Sequence, residues 1–146
     1  MKIQSFGGTT EERIRKLEQK YALELPAAYK EFLLACNGGV IEPDGSESIH
    51  IPALGQAIDL EILYGLDASK DCFDIEYWMR EYGEELPRSA VIIGDDSLKG
   101  FLILLCAGDA NGLYYWDDSY NFPGSTKDKN AYFVCKSFSE LFTKGR

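Results

Sequence analysis

Three pairs of neighbouring acidic residues, Glu84-Glu85, Asp95-Asp96 and Asp117-Asp118, have the clearest capacity for chemistry in this chain. Two carboxylates facing each other across a cleft can cleave a glycosidic bond, one as general acid and the other as base or nucleophile. That use needs an apolar pocket to raise the pKa of one member. Neighbours on a strand point to opposite faces, so no single pair makes such a dyad. Asp95 and Asp117 can meet only across strands, and nothing in their spacing requires it. Solvated charges at strand ends are the simpler reading. A small carboxylate-dependent hydrolase therefore stays an alternative, no catalytic residue is assigned, and the chain is not expected to be an enzyme.

Other chemistries find fewer footholds. His50 is the only histidine, which argues against a Ser/His triad or a histidine-based metal site. Asp109-Ala110-Asn111-Gly112 begins like a calcium loop but lacks the later glycine and closing glutamate, so no metal is expected. Gly94 and Gly100 are followed by no Lys-Ser or Lys-Thr, and Gly-x-Ser-x-Gly is absent, so neither a phosphate loop nor a nucleophile elbow is present. The four cysteines, Cys36, Cys72, Cys106 and Cys135, contain no Cys-x-x-Cys and read as buried, reduced thiols. No cofactor is expected.

What remains is a surface. Tyr114-Tyr115-Trp116-Asp117-Asp118-Ser119-Tyr120 sets amphipathic rings beside negative charge. Aromatic anchors bury area at low entropic cost, and carboxylates at a rim pair with lysine or arginine of a partner. Tyr114 and Trp116 share a strand face and fit a core, which leaves Tyr115 half exposed. The net charge of −9 repels nucleic acid and anionic membranes and favours basic partners, although acidity also simply maintains solubility. No apolar leader opens the chain and Phe101–Ala107, its longest apolar run, is too short for a bilayer, so a reducing cytoplasm is the expected location.

The elements that must position these residues are legible in outline. Thr9 and Glu12 form a capping box for a helix through about residue 22, with Ile14, Leu17 and Tyr21 on one face. Pro26 opens a second helix carrying Tyr29, Phe32, Leu33 and Cys36, stopped by Asn37-Gly38-Gly39. Residues 40–58 are rich in turn formers such as Pro43, Asp44, Gly45 and Ser46. Ile49–Ile51 reads as a short strand, while Leu60–Tyr64 fits a strand or a helical turn. Asp74–Tyr82 has helical spacing and ends at Gly83. Ala90–Ile93, Phe101–Cys106 and Gly112–Trp116 are consecutive strands buried on one face by helices, with a hairpin turn at Asp109–Gly112. Ala131–Cys135 is a fourth, and Ser137 and Glu140 cap a last short helix. The expectation is a single α+β domain over residues 1–146. Its sheet is mostly antiparallel or mixed, flanked by N-terminal helices and a short C-terminal one.

Leu25-Pro26, Tyr29, Phe32-Leu33 and Asn37-Gly38-Gly39 resemble the helix motif of the SUKH superfamily, the Smi/Knr-type domain. Ile92-Ile93-Gly94-Asp95, Gly100-Phe101 and Gly112-x-x-Tyr115-Trp116-Asp117 are similar to its strand motifs, in order, and Phe138–Phe142 to its closing helix. Asp96–Lys99 departs from the glycine-rich pattern there. The resemblance implies an α+β protein-binding domain. In bacteria such stand-alone domains are mostly immunity proteins that neutralise a cognate polymorphic toxin by occlusion. In fungi the related domain belongs to cell-wall regulators, so a regulatory or scaffold domain tied to the cell envelope is the alternative. The implied partner is a basic toxin domain, such as a nuclease, without direct contact to nucleic acid or membrane. Asp95, Asp96, Asp117 and Asp118, with Tyr115 and Tyr120, are the expected partner-binding residues.

Overall fold

Two of the three described helices begin where a side chain accepts from an unpaired N–H of the first turn, and the other begins after a proline. In the computed structural model, which describes residues 2–42, 48–96, 100–107, 111–127 and 129–142, helix α1 spans Glu11–Tyr21. Its cap is Thr10, whose hydroxyl accepts from the Arg13 N–H at 3.2 Å. Thr9, the expected cap, sits one residue too early, its N–H donating to the Leu33 carbonyl. Helix α2, Ala27–Ala35, is preceded by Pro26 as its cap. It ends as the sequence predicts, with Asn37 (φ 52°) and Gly38 (φ 83°) in left-handed backbone. A β-carbon on Gly38 would stand 2.5 Å from the Leu63 carbonyl oxygen, so this approach admits only glycine. The buried Asn37 amide then clasps the Leu66 backbone, donating to its carbonyl and accepting from its N–H at 2.8 Å each. Helix α3, Ile75–Tyr82, is capped by Asp74, which accepts from the Glu76 N–H at 2.8 Å.

The strands are β1 (Ile3–Ser5), β2 (Gly39–Ile41), β3 (Ser48–Ile51), β4 (Gln56–Leu63), β5 (Ala90–Asp96), β6 (Phe101–Leu105), β7 (Gly112–Trp116) and β8 (Ala131–Cys135). They run in the order β1-β2-β4-β5-β6-β7-β8, with β3 paired to β4. Every strand pair is antiparallel. The fold is therefore α+β, and the ambiguous run at Leu60–Tyr64 is the end of a strand. Cα atoms of β8 come within 8 Å of β3 and of residues 52–54, so the sheet curls on itself.

Three expectations are corrected. The central strands are covered on both faces, not one. The face bearing Phe101 and Trp116 meets the aromatic side chains of α3, while Phe122, from the loop after β7, packs on Tyr115. The last helix is a 3-10 segment, Phe138–Phe142. Its Phe138 ring lies 4.9 Å from both Tyr29 and Phe32. Of the four free thiols only Cys135 is buried, and Cys72 is exposed. Burial pushes the Cys106 thiol up to about 12. Part of the Asp109–Gly112 turn, with Pro43–Ser46 and Ser97–Lys99, lies outside the described residues. The core is closed by side chains such as Leu17, Leu33, Ile51 and Ile92, all at 0% exposure. Each is worth about 1.5–3 kcal/mol of burial.

Candidate partner-binding groove

Strand register decides what each member of an aspartate pair does. Asp95 stands opposite Phe101 of β6, and Phe101 opposite Trp116 of β7. This row faces α3. The Trp78 and Tyr82 rings each lie 5.3 Å from Phe101, and Tyr82 meets Trp116 edge-on at 6.1 Å. Between Leu60 and Ile62 the pairing of β4 with β5 slips, so Ile62 faces Asp95 and Leu60 faces Asp96. The extra residue there is Glu61 of β4; on β5 itself the pairing with β6 slips between Ile92 and Gly94, and that bulge brings Asp95 onto the Phe101 face.

The result is a groove of about 930 Å³. Four carboxylates line it, from Asp59, Glu61, Asp95 and Asp118, and among the described residues no lysine or arginine does. Trp78, Tyr82 and Phe101 form its aromatic wall. The Tyr64 hydroxyl donates to Asp95 Oδ2. Burial pushes that hydroxyl far above its ordinary pKa, and the Asp95 charge adds to the rise, so Tyr64 remains a donor. Its ring also stacks on Trp78 at 5.7 Å.

Asp96 points the other way. Only 1% exposed, it accepts through Oδ1 from the Gly100 N–H at 2.8 Å and the Tyr115 hydroxyl at 3.0 Å. These bonds close the base of the β5–β6 connection. A β-carbon on Gly100 would come within 2.1 Å of the Tyr115 hydroxyl oxygen. Burial, then the charge of Asp96, pushes the Tyr115 hydroxyl well above its ordinary pKa.

The second pair divides in the same manner. Asp117 is 0% exposed. It accepts from the Asn121 N–H (2.8 Å), the Phe122 N–H (2.9 Å) and the Ser125 hydroxyl (2.6 Å). Those bonds fold residues 117–125 back over β7, and Phe122 packs edge-on against Tyr115 at 5.8 Å. Asp118 is half-buried and opens on the groove. Its Oδ1 is buried and meets no hydrogen-bond partner among the described residues. Burial pushes the Asp118 carboxyl above its ordinary range. A backbone N–H works against the rise, and the charges of Glu85 and Asp117 add to it.

Of the six expected residues, the fold brings Asp95 and Asp118 to one groove. It places Asp96, Asp117 and Tyr115 inside, and leaves Tyr120 50% exposed with φ 55°. Tyr115, read as half exposed, is fully buried because the loop held by Asp117 covers it. Asp95 and Asp117 do not meet, since Trp116 occupies the row of Asp95 and the Asp117 oxygens are taken up by its own loop. Sequence reasoning passed over Trp78, Tyr82, Asp59 and Glu61. The signals were there: Trp78 and Tyr82 are one helical turn apart, and Asp59 and Glu61 alternate with Leu60 and Ile62.

The carboxylates ring the groove without converging on a point, and among the described residues no group of three or more His, Cys, Asp or Glu is placed to hold a metal ion. Nor is any described helix long and apolar enough to cross a membrane. The arrangement offers negative charge and flat apolar rings to whatever enters. Compared with known families, the chain matches the model described as the SMI1 / KNR4 family (SUKH-1) over residues 8–144. No curated protein matches it.

Proposed function

Since the chain belongs to the SMI1 / KNR4 family (SUKH-1), we propose that it is an immunity protein, a non-catalytic binding domain that neutralises a cognate toxin by occluding it. The observation that carries this reading is the groove: four carboxylates and an aromatic wall, with no lysine or arginine among its described lining residues. A basic toxin surface, of the kind a nuclease uses to hold phosphates, complements it. The aromatic rings supply desolvated contact area and the carboxylates steer the encounter. Asp95 and Asp118 pair with the toxin's cations. Asp96 and Asp117 act from inside, by fixing the two chain segments that present them. Tyr120 stands exposed beyond Ser119, which lines the groove, and extends the contact. The protein works in the cytoplasm, where such a toxin acts.

Affinity capture from lysate of the native host, read by mass spectrometry, tests this. One toxin domain co-eluting, whose lethality on expression is relieved by co-expressing this chain, is the expected outcome. Recovery of a cell-envelope or housekeeping complex, with no relief of any toxin, would assign the chain to a regulatory role instead.

A further inference from the structure

We infer that the groove is a receptor for an arginine side chain of the partner, its guanidinium held by Asp118 and Asp95 and laid against the aromatic wall of α3. The inference rests on the proposed function and names the chemistry of the same site. Its first support is the geometry of Asp118. The Oδ1 atom has lost its water and gained no donor among the described residues, an arrangement that costs free energy in the unbound protein. A cation in the groove offsets that cost through its charge, meeting the carboxylate from the side that opens on the groove.

The second support is the wall. Trp78 and Tyr82 stack nearly parallel, with an interplanar angle of 12° and centroids 5.9 Å apart. Tyr64 continues the stack on Trp78 at 21°. Indole and phenol faces attract cations, and a planar guanidinium both stacks on such rings and keeps its donors free in the ring plane. An ammonium is a compact, strongly hydrated point charge and uses only the carboxylates. The third support is placement. Tyr82 lies close enough to Asp118 for that charge to raise its phenol pKa, after burial, so ring and carboxylate flank the same space. Tyr64 holds Asp95 from behind through its hydroxyl, which fixes the second carboxylate without drawing it out of the groove. The carboxylates of Asp59 and Glu61, both exposed, extend the negative field outward and favour an arginine that sits in a basic segment.

The test is a titration of the full ¹⁵N-labelled chain with acetyl-Gly-Arg-Gly-amide, at constant ionic strength, followed by amide and indole resonances. The matching lysine and citrulline peptides are the controls. Saturable shifts are expected at the Trp78 indole N–H and at the Asp95 and Asp118 amides. Lysine should bind several-fold more weakly and citrulline not at all. Asp118→Asn, folded as judged by its own spectrum, should weaken the arginine peptide several-fold. Glu61→Gln, an exposed position, gives a milder loss and serves as the second variant. The inference is overturned by no saturable shift, by equal response to arginine and citrulline, or by shifts spread as strongly over the acidic residues of α1. Toxin capture without arginine binding would discard this inference and leave the immunity reading standing. Arginine binding with no toxin captured would do the reverse.

Discussion

The acidic residues at the seam between α1 and α3 and those around the groove are handled differently. At the seam, Glu76 receives Arg13 Nη2 at 3.1 Å and Lys20 Nζ at 3.6 Å, while Arg13 Nε reaches Asp67 at 2.9 Å. One planar guanidinium thus joins α1, α3 and the segment after β4. Around the groove stand four carboxylates, and no lysine or arginine is among the described residues that line it. The sequence distributes charge accordingly. Residues 1–36 hold six basic and five acidic side chains, and residues 37–146 hold nine and nineteen. At the seam the carboxylates meet cations of this chain, while Asp96 and Asp117, inside, are held by N–H and hydroxyl donors. For the carboxylates that line the groove, a cation from outside is the natural complement.

Reversing the groove's charge is the strongest way to break the contrast. Asp95→Lys combined with Asp118→Lys should weaken capture of the proposed toxin domain by about a hundredfold or more, since lost charge pairs at an interface cost about 2–5 kcal/mol. Calorimetry at fixed salt checks this, with circular dichroism confirming the fold. Unchanged affinity and an unchanged salt slope would move the interface off this face. Asp117→Ala probes the opposite role. It leaves two backbone N–H groups and the Ser125 hydroxyl without their acceptor, so urea denaturation should show a loss of about 2–4 kcal/mol. A loss under about 0.5 kcal/mol, the scale of an ordinary surface substitution, would mean that the loop is held by something else.

Arg13→Ala tests the seam itself. The Arg13 side chain is 20% exposed, and its fork bonds two carboxylates, so the expected cost is about 1 kcal/mol, above that of a solvated surface pair. Toxin affinity should not change. If Arg13→Ala weakened binding as much as it weakened folding, the two acidic regions would not be separate.

Much of this fold could be read from the chain, and the failures have physical causes. The longer segments, α1 to α3 and β5 to β8, were legible because the helices keep a period of 3.6 and the strands are short apolar runs between turn formers, nearly uniform in β5 and β6. The strands β1 and β2 have three residues each, fewer than any period can mark. The Thr9 cap was misplaced by one residue because two threonines precede the helix and only local backbone geometry chooses between them. The site was half legible. Alternation along a strand says that Asp95 and Asp96 part company, but which one faces the groove depends on the slip between Ile92 and Gly94, where β5 carries an extra residue against β6, which pairing creates and composition does not announce. The burial of Tyr115 likewise follows from the loop that Asp117 folds over it, a contact made across the chain rather than along it. Trp78 and Tyr82 marked only a helix in the sequence, because an amphipathic face looks alike whether it covers a sheet or walls a groove.

The smallest expected effect separates the two regions most sharply. The Asp118 carboxyl is held above its ordinary value of 3.8 by burial, with Glu85 and Asp117 adding to the rise. As pH climbs through 3.8, the unfolded chain gives up this proton before the folded protein does, so folding loses stability until the raised folded value is passed. The penalty persists at neutral pH, and Asp118→Asn removes it. The variant should therefore melt slightly above the parent at pH 7, with the gap closing below the ordinary carboxylate range where both states are protonated. A cation in the groove reverses the balance: it favours the ionised form, so binding expels the proton, and affinity should rise with pH across that window and then level off. Melting curves of both proteins from pH 3 to 7, beside peptide or toxin affinities over the same range, give both halves. A variant that melts below the parent at pH 7 would place Asp118 with Glu76, among carboxylates that serve the fold, and would leave the groove without its central charge.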